Sequence, residues 1–207
     1  GVFAMLNGRE FWYGAYLPIF FIASAVLMGS AAVVFFTIIA YWIRRERLDA
    51  AMRESLAAVS RLACLMLAVV MFLTIWRMVT LTVGGTHESM VFEAFVSGPF
   101  AFNFWVYEIA LGMIIPFFLL LASRGRSIAV IFVAAALIIF CAFFMRLDMV
   151  VAGQIVPMYW ELGVKEYARL NTYAPTWHEI FVVLGGVGLC GAAFLLGEKV
   201  FDGFRET

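Results

Sequence analysis

Arg77, Glu108, Arg146, Asp148, His178 and Glu179 are ionisable side chains set inside, or at the mouths of, long apolar runs. A charge among apolar groups is costly and is usually paired, hydrogen-bonded or used to move ions and protons. Arg77 falls about two helical turns before the outer end of the second run, and Glu108 a few turns inside the outer start of the third. Arg146 lies about 27 Å along the fourth run at 1.5 Å per residue. Asp148 follows it closely, and His178 and Glu179 open the fifth run. All six are expected in the outer half of the bilayer, so two Arg and three acids share one depth. They would form a buried network or line a polar cavity.

Each residue also has a plainer reading. The Arg77 and Arg146 side chains are long enough to snorkel to the outer interface. Glu179 closes a T-x-x-E capping box that starts at Thr176, just after Pro175, and its work would then be to start a helix. His178 at a helix start reads as a solvated imidazole. Glu108 is hardest to explain in this way, because a carboxylate several turns deep needs a cation or a proton.

The elements that would position these groups follow from composition. Of 207 residues, 65% are hydrophobic and 14% charged, against about a quarter charged in an ordinary soluble domain. Mean hydropathy is +1.01, more apolar surface than a domain of this size can bury. Uncharged runs occur at Phe11–Ile43, Leu62–Trp76 with its continuation after Arg77, Ile109–Ser123 with its lead-in before Glu108, Ser127–Met145 and Ile180–Gly197. A membrane-spanning helix needs about 20 mostly apolar residues, whereas the ten-residue alternation of a barrel strand is absent. The expectation is an all-α integral membrane protein, one transmembrane domain over 1–207. Its five spans fall at about 11–43, 60–83, 100–122, 127–148 and 175–197, as a four-helix bundle plus one.

Loop charges orient it. Arg44, Arg45, Arg47, Arg53, Arg61, Arg124, Arg126, Lys199 and Arg205 fall on one side, and Arg9, Lys165 and Arg169 on the other. Cytoplasmic loops carry the excess of Lys and Arg, which predicts an outer N-terminus and a cytoplasmic C-terminus. Trp12, Tyr13, Tyr16, Tyr41 and Trp42 match the aromatic belts at the two ends of the first span. The amphipathic stretch Leu48–Arg61 is expected to start the second helix early and lie along the cytoplasmic surface. Met149–Tyr173 reads as the last outer loop, with an amphipathic segment at about 156–172 that carries Tyr159, Trp160, Tyr167 and the i,i+4 pair Glu161 and Lys165. It would lie over the charged cluster. Gly185, Gly186, Gly188, Gly191 and Ala192 on the fifth span, and Ala25 and Gly29 on the first, are small residues that let helices approach closely. The chain opens on Gly1 without a charged leader and cleavage site, as a processed or partial chain would.

Cys64, Cys141 and Cys190 show no metal-ligand spacing and read as small core residues. His87 and His178 both fall at the outer edge, so axial haem ligation is not expected, nor is an iron–sulphur cluster. No covalently or metal-held cofactor is expected. The zero net charge gives no sign of nucleic acid.

The segment MRLDMVVAGQIVP followed by YAPTWHEIFVVLGGVG resembles the closing part of the polysulphide-reductase membrane subunit family (the NrfD type), particularly its hydrogenase- and sulphite-reductase-associated branch. GREFWYGAYLPIFFIASAVLMGSA resembles the first helix of that family's second bundle, and FWVYEIALGMIIPFFLL its third, including Glu108 and Pro116. The resemblance implies a cofactor-free, non-autonomous membrane subunit of a respiratory oxidoreductase in a bacterial or archaeal cytoplasmic membrane. Such a subunit docks a ferredoxin-like iron–sulphur partner and other subunits, exchanges electrons with menaquinone or ubiquinone, and in some cases couples this to proton movement. It also implies that Arg146, Gln154, Tyr173, His178 and Glu179 lie near a quinone pocket or proton path. Family members carry two bundles, and this chain matches the second plus a last helix. Glu108, Glu179 and His178 would then carry protons, while Arg77 and Arg146 hold carboxylates ionised or steady a quinol anion. Two other functions fit the same residues: a structural anchor whose charges only pack helices, and half of a transporter or ion-conducting module.

Overall fold

A computed structural model describes residues 15–155 and 176–201. The chain divides into two compact units, Gly1–Asn171 and Thr172–Thr207. The first contains α1 (Tyr16–Arg44), α2 (Ala50–Val83), the short α3 (Thr86–Val96), a π-helical segment (Asn103–Ile114) that runs into α4 (Ile115–Ser123), and α5 (Ile128–Ile155). The second contains α6 (Trp177–Phe201). Five stretches are long and apolar enough to cross a membrane: Tyr16–Arg44, Ala50–Val83, Asn103–Ser123, Ile128–Ala152 and Trp177–Gly197. This is the expected all-α membrane architecture, and the described residues include no strand.

In the first unit α1 packs on α2 and α5, and the π–α4 helix closes the ring by packing on α5 and α2. The register of buried residues explains the bundle. On α2 the buried positions, Ala57 apart, are Leu56, Ser60, Ala63, Leu67, Val70, Thr74, Arg77 and Leu81, alternating steps of four and three. That is the seam of a helix packed lengthwise against neighbours. Arg77 stands in the series, so the helix itself turns its side chain inward. On α5, Ile131, Ala135, Ile138, Cys141, Met145, Asp148 and Ala152 are among the buried positions, at steps of three and four. Asp148 is therefore a core position, while Arg146 stands off the seam.

The third spanning helix departs from this rhythm. Its buried residues Phe104, Glu108 and Met113 are spaced four and five apart, wider than the 3.6 residues per turn of an α-helix. The Ile115 N–H donates to Ala110 O, five residues back. Pro116 follows immediately and is buried. It has no N–H to give, and its ring crowds the carbonyl four residues behind, which ends the wide register. Across the bundle, Tyr107 stacks on Phe144 of α5, with ring centroids 4.2 Å apart and planes 10° from parallel.

Helix ends follow local chemistry. Arg45 turns into the left-handed region (φ 57°) at the end of α1. There the Arg45 N–H meets Trp42 O at 3.2 Å and the Glu46 N–H meets Tyr41 O at 3.1 Å, which satisfies carbonyls that would be left bare. The Asp49 carboxylate caps α2 by accepting from the Met52 N–H at 2.8 Å.

Several expectations are corrected here. The stretch Leu48–Arg61 does start α2 early, but α2 is one 34-residue helix, so those turns extend along its axis instead of forming a separate surface helix. Met149–Gln154 is not loop: α5 continues to Ile155, with Met149, Val151 and Ala152 buried. Gly84–Ala101, which lies between the second and third expected spans, holds α3, which buries Met90, Val91, Ala94 and Phe95. Ala25 and Gly29 are exposed; the inward face of α1 is Leu17, Phe20, Ser24, Leu27, Ala31 and Val34. In the first unit Cys141 is buried and Cys64 half-buried. The amphipathic segment 156–172 lies outside the described residues.

Gly112 marks the closest approach of the π segment to α5. A Cβ there would stand 2.8 Å from Cys141 Cβ and 2.8 Å from Tyr107 O, neither of them able to swing aside. Gly112→Ala is therefore expected to destabilise the bundle by about 1–3 kcal/mol through overpacking. Thermal unfolding in detergent reads this, and Cys141→Gly in the same chain should recover part of the loss. An unchanged or raised midpoint for Gly112→Ala would mean the two helices are not in that contact.

Candidate functional site

Three of the residues singled out by type meet in the first unit. Arg77 from α2 and Glu108 from the π segment are both 8% exposed, and Asp148 from α5 is 0% exposed. Glu108 feels the charge of both Arg77 and Asp148. Arg77 and Glu108 line one cavity together with Tyr16, Thr74, Phe95 and Met149. With Arg77 in the interior, snorkelling to an interface is not its role. Its guanidinium carbon lies 5.1 Å from the centroid of the Tyr16 ring, a cation–π contact from α1.

Asp148 is held by Asn103, whose Nδ2 donates to Oδ1 at 3.2 Å. Its other oxygen, Oδ2, is buried and has no hydrogen-bond partner among the described residues. A buried carboxylate oxygen without a donor is a costly arrangement. A proton or a water on Oδ2 would relieve it.

Glu108 also lines a second cavity, formed with Ser24, Leu67, Gly112, Cys141 and Met145 among others. Each cavity offers about 20 Å³ to the centre of a water molecule. That is room for roughly one water, which needs on the order of 10–15 Å³ by this measure. Glu108 and Met145 belong to both linings. Glu108 thus borders two water-sized spaces.

Arg146 goes elsewhere. Its Nη2 donates to Ser24 Oγ at 2.8 Å, and its guanidinium carbon lies 4.0 Å from the centroid of Phe21. Ser24 is fully buried and in turn donates to Phe21 O at 3.1 Å. Arg146 is thereby tied to α1 through Ser24, which shares a cavity lining with Glu108, and Nη1 is buried without a partner among the described residues. Gln154 is exposed near the end of α5. Tyr173 lies outside the described residues.

His178 and Glu179 belong to the second unit. Here the capping box is as expected: the Thr176 N–H donates to Glu179 Oε2 at 2.8 Å, and the Glu179 N–H to Thr176 Oγ1 at 3.4 Å. Glu179 therefore starts α6, and His178 is exposed in its first turn.

Asn103, Ser24 and Tyr16 belong to the site, although their residue types gave little signal. Each is an uncharged polar side chain in or beside an apolar run, and such residues are common in membrane helices. What would have marked them is register: Ser24 lies on the α1 seam with Leu17, Phe20 and Leu27.

Fold and site together define a multi-pass helical membrane protein with ionisable groups held in the interior of a four-helix bundle. The family described as "Polysulphide reductase, NrfD" matches residues 1–158, and the chain belongs to that family. It is also similar to a selenate reductase subunit of Mesobacillus selenatarsenatis, with 26% identity over 128 residues. The match covers 61% of this chain and 29% of that protein, so the chain spans less than a third of that relative's length.

The bond from Asn103 to Asp148 makes its own prediction. Asn103→Ala removes the donor from a buried carboxylate and is expected to cost about 1–3 kcal/mol. The double variant Asn103→Ala/Asp148→Ala should cost less than the sum of the two single changes. Chemical or thermal unfolding of all four proteins in the same detergent tests it, and strict additivity would rule the coupling out.

Proposed function

We propose that this chain is an integral membrane subunit of a respiratory reductase complex, and that its buried Arg77–Glu108–Asp148 cluster carries protons for the redox reaction of that complex. Family membership and the likeness to a subunit of a selenate reductase support the assignment to a complex. The single observation that carries the proton role is the position of Glu108, buried and shared between two water-sized cavities. A carboxyl group so placed can take a proton from water on one side and release it to water on the other. Arg77 would hold the carboxylate form in place, and Asp148 Oδ2 would be the next acceptor.

Reduction of a quinone takes two electrons and two protons, so a membrane-embedded proton supply is what a quinone-linked complex requires of such a subunit. The cavities beside Glu108 are far smaller than the roughly 300–1,000 Å³ typical of sites for small organic ligands. No quinone ring is therefore assigned to them. On this reading menaquinone or ubiquinone reacts where other parts of the complex complete a pocket, electrons arrive from an iron–sulphur partner, and this chain delivers protons. The excess of Arg at the α1–α2 and α4–α5 loops supports an outer N-terminus and a cytoplasmic C-terminus in a bacterial or archaeal inner membrane.

Glu108→Gln keeps the shape and removes the exchangeable charge. In the assembled complex, quinone-dependent turnover is expected to fall by roughly 100-fold or more, with subunit composition unchanged on a native gel and electron transfer to a soluble acceptor retained. A subunit that served only as an anchor would keep full quinone-dependent turnover in this variant.

A further inference from the structure

The opposite end of the first unit carries a different kind of site. A groove of about 690 Å³ runs between α2 and α4. Its floor and walls are apolar, with Leu65 and Ala68 on one side and Phe117 and Leu121 on the other. Its rim is formed by Arg61, Arg124 and Arg126. Arg61 and Arg126 stand at the surface with Arg124 beside them, and among the described residues no carboxylate pairs with the three.

The geometry of this end is built in. The turn from α4 to α5 passes through Arg124 at φ 48° and Gly125 at φ 81°. A Cβ on Gly125 would meet Ala57 Cβ of α2 at 2.7 Å, so glycine alone lets the turn rest on α2. Ala57 and Arg61 are four residues apart on one helix face. Seating Gly125 on Ala57 therefore brings Arg124 and Arg126 to the same groove as Arg61. Three like charges held together without counter-charges raise one another's energy, and an anion between them removes that cost.

We propose that this groove is a binding site for an anionic phospholipid, with the phosphate among Arg61, Arg124 and Arg126 and an acyl chain along Leu65, Ala68 and Leu121. Two features favour a lipid over a free anion. The charges sit at the mouth of an apolar channel instead of on a polar surface, and the channel runs along helices that cross the bilayer. Basic pockets between spanning helices recognise acidic head groups in this way. A neutral quinone would use the apolar walls but leave the three guanidiniums unpaired. The surrounding face adds to the preference: Arg44, Arg45, Arg47 and Arg53 on the same side outnumber Glu46, Asp49 and Glu54.

The test uses the chain purified in detergent and titrated with palmitoyl-oleoyl phosphatidylglycerol, phosphatidylcholine of the same chains, inorganic phosphate or a short-chain quinone, with bound species counted by native mass spectrometry. Phosphatidylglycerol should bind at one site and outcompete phosphatidylcholine. Arg124→Gln/Arg126→Gln should weaken it by about thirty-fold, the loss expected for two such charges. Arg45→Gln/Arg47→Gln, which removes the same charge from the neighbouring α1–α2 loop, should leave it within about threefold, since only rim charges contact the head group. Leu121→Trp, which narrows the channel and leaves the charges alone, should also weaken it. Equal losses in the two arginine pairs would reduce the effect to general surface charge and overturn the proposal. Displacement of the lipid by inorganic phosphate at similar concentration would make the site an anion site, and a quinone that binds as tightly as phosphatidylglycerol would overturn the lipid assignment.

Discussion

A charged group buried in an apolar bundle constrains everything packed around it. Arg77 is turned inward by the seam of α2, where replacing it with an apolar residue would continue the pattern Val70, Thr74, Leu81 without interruption. Once it is there, the bundle must supply opposite charge and polarisable faces at the same level. Glu108 and the Tyr16 ring meet that requirement from two other helices, and Asp148 adds a second buried acid beside Glu108. Each partner brings a demand of its own, and Asn103 answers that of Asp148. The polar interior is a chain of such compensations.

The π-helical segment makes this arrangement possible. A strict α-helix would not bring Phe104, Glu108 and Met113 onto one face. The wider turn also lets Gly112 touch α5 while Glu108 reaches toward α2. Widened turns of this kind tend to occur where a helix does chemistry, and here the wide turn carries the acid that borders two cavities. Pro116 limits it, so the local change in pitch is confined to the half of the helix that holds Glu108.

The two ends of the first unit use charge in opposite ways. Around Glu108 the charges are buried, few and of both signs. At the α4–α5 turn they are all of one sign and face an apolar groove. The first arrangement suits a group that must change its protonation without contact with bulk water. The second suits a permanent contact with an acidic surface, and Arg, which does not lose its proton, is the appropriate residue. On the proposed function the first would serve the reaction and the second the seat of the chain in the bilayer.

The sequence by itself determined that the chain crosses a membrane as helices, roughly where the spans lie, and that Thr176 and Glu179 form a capping box. These depend on composition along one segment, or on contacts three residues apart, and local physics decides both. Only the tertiary structure decided which charges meet. Arg146 and Asp148 are two residues apart and looked like members of one cluster, yet a rotation of about 200° along an α-helix separates their faces. Asp148 falls on the seam with Glu108 and Asn103, whereas Arg146 turns to Ser24 and Phe21. The π register, the helix within Gly84–Ala101 and the inward side of α1 were hidden for the same reason. Almost every face of these helices is apolar, so hydrophobic periodicity cannot tell a lipid-facing residue from a buried one. The choice is made only when neighbouring helices compete for the same space.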